Sequence, residues 1–213
     1  SLSRLSPHDV LDLAETISPQ YAPPLAEWLQ RTSEGNPYIL AELVKYARQK
    51  SLIQANGVIN LSDLSNEPLI PQTVYGLLQT RLEALSDPAR RILDAGVAMG
   101  RRFNIDVVAS AAGLSELASL DAIDELLDRG LVRPDGARHF LIDHSLILEV
   151  AYREVGDLRH RYLHRRVAEA LESQMPEAMT ENAGLLAWHF SEAGDLEKAA
   201  SYARIAGNRA LEL

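Results

Sequence analysis

Apolar residues recur at helical spacing over most of the chain: Val10, Leu11, Ala14 and Ile17; Ile39, Leu40, Leu43, Val44 and Ala47; Leu117, Leu120, Ile123 and Leu127. Small polar residues stand just before such runs, often with proline at the first helical position. Ser6-Pro7, Asn36-Pro37, Asp87-Pro88, Gly113-Leu114-Ser115 and Thr180 therefore read as helix starts, since a side-chain oxygen satisfies an orphan N–H and proline lacks one to lose. The pattern predicts a mainly helical protein. Two stretches break it. Leu52–Ala55 and Val58–Leu61 flank Asn56-Gly57, a type I′ hairpin signal, and Leu131–Pro134 and Ala137–Ile142 flank Asp135-Gly136. Pro134 cannot donate to a ladder and belongs on a sheet edge.

The order of elements divides the chain further. Helices at about Pro88–Met99, Ile105–Ala112 and Ser115–Arg129 followed by the second hairpin are in the order of a winged helix. Two more helices follow, at Asp143–Val155 and Asp157–Ser173. Then Leu185–Ala193, Gly194-Asp195 and Leu196–Leu211, with Ala199, Ala200, Ala203 and Ala206 along the second helix, form one tetratricopeptide-like hairpin. Such repeats need about three copies to bury a core, so more are expected beyond this one. The expected organisation is a small helical domain over 1–70 with a hairpin at 52–61, a winged-helix domain over 71–155, and over 156–213 the start of a repeat array.

Composition narrows the chemistry. The 213 residues carry 21 Lys and Arg against 30 Asp and Glu, a net charge of −9, and no cysteine, which excludes disulfides and thiolate metal sites. The longest stretch free of charged residues, 68–80, falls short of the roughly 20 residues that cross a bilayer. With no apolar leader after Ser1, we expect a soluble, cytoplasmic protein with no membrane partner, and an excised fragment of a longer chain. The glycines never stand two apart, and none of Lys45, Lys50 and Lys198 follows a glycine. Dinucleotide loops, G-x-S-x-G elbows and phosphate-cradling P-loops are all excluded. No catalytic residue, metal site or resident cofactor is predicted, and the chain is not expected to be an enzyme by itself.

Two further constellations bear on function. His160 and His164 share a helical face and could hold a metal, but the glutamate of an H-E-x-x-H signature is Arg161 and no third ligand is in sight. Packing or hydrogen bonding beside Leu163, Val167, Ala170 and Leu171 is the expected use. The third helix of the winged-helix segment bears Glu116, Asp121, Asp124, Glu125 and Asp128 against Arg129 alone. A recognition helix so charged is repelled by phosphates, so direct nucleic-acid binding is not expected, despite arginines at 153, 159, 161, 165 and 166.

The series Glu34-Gly35-Asn36-Pro37-Tyr38 through Glu42-Leu43, Ile70-Pro71, Leu77–Leu85, Arg91–Gly100 with Phe103, Phe140–Ile147 with Ala151-Tyr152, Leu163-His164, and Ala187–Phe190 leading to Gly194-Asp195 resembles STAND-type signal-transduction ATPases. The nearest in kind are bacterial LuxR-type and cyclase-linked regulators with tetratricopeptide repeats. The resemblance implies a regulatory segment C-terminal to a P-loop domain: a helical lid and a winged helix closing over ATP or ADP with Mg bound upstream, and repeats sensing a protein or small-molecule effector. It implies that Gly35, Asn36 and Pro37 match a G-x-P motif near the adenine and that His144 matches a histidine reaching the β-phosphate of ADP. The residues alone explain Asn36-Pro37 as an N-cap and its N1 proline, and His144 as a cap or packing residue. Two other readings remain: a DNA-binding winged-helix regulator, and a helical interaction scaffold with no nucleotide role.

Overall fold

A computed structural model describes residues 4–54, 57–59, 72–174 and 181–212. Among these the chain is mainly helical, with eleven α-helices and one three-stranded antiparallel sheet. It divides into two compact units, Ser1–Arg81 and Leu82–Leu213.

The first unit contains α1 (Pro7–Ile17), a 3₁₀ turn (Pro19–Tyr21), α2 (Ala22–Ser33) and α3 (Pro37–Gln49), and ends within α4 (Gln72–Glu83). Ser6 caps α1 in a capping box: its Oγ accepts from the Asp9 amide while Asp9 accepts from the Ser6 amide. The expected stripe is buried at Val10 and Ala14, and Leu25, Leu29, Ile39, Leu43 and Ala47 complete the core. Of the predicted hairpin, a single antiparallel bridge joins Ile53 to Ile59. Gly57 supplies the positive φ of the turn, at 78°. Asn56 and residues 60–71 lie outside the described residues.

The second unit runs through α5 (Asp87–Met99), β1 (Arg102–Asn104), α6 (Ile105–Ala112), α7 (Glu116–Asp128), β2 (Val132–Pro134), β3 (His139–Ile142), α8 (Ser145–Glu154), α9 (Asp157–Gln174), α10 (Ala183–Glu192) and α11 (Leu196–Glu212). Strand β3 lies between β1 and β2, pairing Phe103 with Phe140 and Val132 with Ile142, so Pro134 sits on an edge. The third strand, β1, has no counterpart in the sequence pattern. It is three residues long, and it exists because Phe103 is driven into the core, stacking on Phe140 at 6.0 Å and pressing against Gly96 of α5.

Three local expectations shift. Ser86 rather than Asp87 caps α5, its Oγ accepting from Ala89, which leaves Asp87 in the first turn near the positive helix end. Thr180 lies outside the described residues, and Asn182 precedes α10. Helix α7 buries Ser119, Ala122, Ile123 and Leu126, whereas Leu117 and Leu120 are 70% and 52% exposed. The stripe read from leucine spacing is therefore rotated, because the inward face of α7 is fixed by its seat on α5. Helix α9 packs on α5 and α6 as well as on α10, within one unit. No described helix is long and apolar enough to cross a membrane.

Candidate functional site

Gly35, Asn36 and Pro37 come together in the turn between α2 and α3. Helix α2 ends on Glu34 at φ 46° and Gly35 follows at φ 76°, two left-handed residues in succession. The second must be glycine for a further reason. A Cβ there would stand 2.3 Å from the Leu5 carbonyl oxygen, because the Leu5 amide donates to the Gly35 carbonyl at 2.8 Å. Asn36 then caps α3, its Oδ1 accepting from the amides of Tyr38 (3.0 Å) and Ile39 (3.3 Å). The Gly35 and Asn36 amides donate to the side chain and carbonyl of Ser33, and the Leu40 amide to the Asn36 carbonyl. Every amide from Gly35 to Leu40 is thus used internally. The backbone of the turn keeps no free amide for a phosphate. What it presents is the half-buried Pro37 ring and Tyr38, 49% exposed with the Arg81 guanidinium 5.8 Å from its ring centre.

His144 belongs to the second unit. It is fully buried and caps α8: its Nδ1 accepts from the Leu146 amide at 3.0 Å while its carbonyl accepts from Ile147. An accepting Nδ1 requires the neutral ring with its proton on Nε2, so the imidazole enters as an Nε2–H donor.

His160 and His164 do not converge on a common point. His160 Nε2 lies 2.7 Å from the Tyr152 carbonyl and its ring stacks on Tyr152. His164 turns instead to His189 of α10, Nδ1 to Nδ1 at 3.0 Å, with Trp188 edge-on at 5.0 Å. The two rings must be opposite tautomers, since one Nδ1 donates and the other accepts. Both are buried, and neither Nε2 has a partner among the described residues. Burial pushes both rings toward the neutral form, His189 down to about 3, with the neighbouring His164 adding to the effect. Glu192 opposes the shift at His164, and His160 reinforces it. Sequence periodicity placed His164 on a buried stripe but could not supply His189, 25 residues away. Among the described residues no three His, Asp or Glu side chains are grouped to hold a metal.

The arginines seen in the sequence are mostly engaged. Arg102 pairs with Asp135 (2.6 Å), Arg153 with Glu149 (2.6 Å) and Arg138 with Asp106 (2.6 Å). Arg166 donates to the carbonyls of Ser110 and Ala111 at the C-terminal end of α6, where cations are favoured. On α7, Glu125 accepts from the Ser86 amide and hydroxyl and pairs with Arg129, while Asp121, Asp124 and Asp128 are exposed.

These features define a mainly helical protein with a small antiparallel sheet, a capped Gly-Asn-Pro turn in one unit and a buried capping histidine in the other. No protein-family model matches the chain. It is similar to the uncharacterized protein R02095 of Rhizobium meliloti (strain 1021), with 26% identity over 181 residues, 83% of this chain and 17% of that protein. The chain spans about a sixth of the length of this curated relative.

Proposed function

We propose that this chain is the regulatory, non-catalytic part of a STAND-type signalling ATPase. In this reading the first unit is the lid and the segment from α5 to β3 is a winged helix. Helices α10 and α11 begin a tetratricopeptide-like array that receives a protein or small-molecule effector. An upstream P-loop domain, acting in cis, holds ATP or ADP with Mg, and the lid and winged helix close over it. The nucleotide favours the closed state, and an effector shifts the balance by binding one state more tightly.

The observation that carries the reading is the order helix, strand, helix, helix, hairpin, with the first strand added to the hairpin in the order β1-β3-β2. The Gly35-Asn36-Pro37 turn supports it in a specific way. With its amides consumed, it suits a flat apolar group rather than a phosphate, which agrees with a place beside an adenine. His144, as an Nε2–H donor, suits a phosphate oxygen, but with no exposed surface it meets one only after a rearrangement.

The test is nucleotide retention by the full-length protein. His144→Asn keeps a side-chain acceptor for the Leu146 amide and removes the imidazole, so the reading expects normal folding with loss of retained ADP. Unchanged retention refutes the role of His144. Tight ADP binding by these 213 residues alone refutes the split site, and a full-length chain with no G-x-x-x-x-G-K-[ST] upstream removes the assignment.

A DNA-binding winged helix rests on the same element order. Helix α7 opposes it, since a helix with five carboxylates and a single arginine just past its end cannot approach phosphates without a penalty. Salt-dependent retardation of duplex DNA at low ionic strength would reverse that judgement.

A further inference from the structure

Within the second unit, α5, α6 and α9 enclose a cleft of about 330 Å³, in the range of small-ligand sites. Three guanidiniums line it, from Arg90, Arg91 and Arg159. Two have structural tasks. Arg90 Nε donates to the buried Asp94 carboxylate at 2.8 Å, and Arg91 donates to the Ala112 carbonyl at the end of α6. Arg159 is exposed and makes no hydrogen bond or ion pair among the described residues; its only other engagement is the longer-range attraction of its charge to Asp94, which Arg90 already pairs. The other carboxylate on the cleft, Asp87, sits on the rim with its side chain 84% exposed, 3.9 Å from Arg91. With Arg90 and Asp94 cancelling, the cleft has a surplus of positive charge and unspent donors on Arg91 and Arg159. Tyr162, one turn beyond Arg159 on α9, adds a phenol and a ring that is 57% exposed.

We propose that this cleft binds a phosphomonoester. The guanidiniums of Arg91 and Arg159, coming from two helices, clamp the phosphate oxygens, and the Tyr162 ring lies along the organic part. Guanidinium forks match oxyanions in charge and geometry, a dianion exploits two of them better than a carboxylate does, and the volume leaves room beside the phosphate. The cleft lies wholly within the second unit and needs no nucleotide on an upstream domain.

The test is calorimetric titration of the 213-residue chain with phenyl phosphate, inorganic phosphate and benzoate. Saturable binding is expected in that order of decreasing affinity, weakening with salt. Arg159→Gln, which breaks no internal bond, should weaken phenyl phosphate roughly tenfold or more. Arg161→Gln, two residues on and outside the cleft, should leave it unchanged. Tyr162→Ala should weaken phenyl phosphate more than inorganic phosphate, and it serves in place of Arg159→Gln if that variant misfolds. The proposal fails if no saturable binding occurs, or if benzoate binds as tightly as phenyl phosphate. It also fails if Arg161→Gln loses as much as Arg159→Gln, since only a general surface field is then at work.

Discussion

Acidification should loosen the second unit through the His164–His189 pair, and the size of the effect follows from burial. In the unfolded chain His189 titrates near 6.5, whereas in the folded unit it stays neutral until about 3. Its folded pKa is depressed, so the unfolded state binds the extra proton between these limits and stability falls as pH drops through that window. Between about pH 7.5 and about pH 5 the unfolded histidine gains its proton and the folded one does not, a loss of about 2 kcal/mol at 1.36 kcal/mol per pH unit below 6.5. His164, also depressed by burial, acts in the same direction. Asp94 acts oppositely, because burial raises its carboxyl above the usual range and lower pH then favours the folded state. That contribution is common to wild type and variant and cancels in their difference. Urea unfolding followed by Trp188 fluorescence, in a Trp28→Phe background, reports this unit, since Trp28, the other tryptophan of the chain, belongs to the first unit. His189→Gln should be destabilised at about pH 7.5 yet lose about 2 kcal/mol less than the parent on acidification. Equal losses in the two proteins, or an NMR titration of folded His189 near the ordinary histidine value, would refute the reasoning.

Other substitutions probe the turn and the sheet. Gly35→Ala puts a methyl on the Leu5 carbonyl and forces alanine to a positive φ, so the first unit should lose at least ~1–3 kcal/mol in urea unfolding. Asn36→Ala strips the cap from α3 and should cost about 1 kcal/mol in the same assay, with Asn36→Asp largely restoring it. Gly96→Ala sets a helix-propensity gain of up to ~1 kcal/mol against a methyl placed 3.0 Å from the fully buried Phe103 ring. The close contact should win, giving net destabilisation of about 1 kcal/mol by thermal melting, and Phe103→Leu in the same chain should relieve part of it.

Much of this architecture was legible because its signals are local. Ser6, Asn36 and Ser115 each stand within three residues of the amides they cap, so a four-residue window suffices to recognise them. The edge position of Pro134 follows from the conformation that residue permits, and the sheet obeys it; the turn is wider than Asp135-Gly136, with Pro134 opposite Phe140 and β3 beginning only at His139. Glycine at 35 stands in a recognisable Gly-Asn-Pro series. The reason for it, a carbonyl from Leu5 thirty residues earlier, lay beyond any window of sequence.

The candidate sites show the same division. Histidine spacing along α9 identified a shared face, but His160 spends its ring on Tyr152 and His164 on His189, and only the approach of α10 decided between a pair and a metal site. The leucines of α7 read as a core stripe, yet the face turned inward is the one that meets α5. Spacing groups the arginines along the chain without naming their partners; packing assigned Arg90 to Asp94 and Arg91 and Arg166 to the end of α6, leaving Arg159 without a hydrogen bond on the wall of a cleft. The sequence by itself determined the helical class, the caps and turns and the absence of a P-loop, because short-range backbone preferences and motif spacings do not depend on what lies across the fold. Tertiary structure decided β1, the buried face of α7, the pairing of His164 with His189 and which charges cancel, because those depend on contacts between residues far apart in the chain.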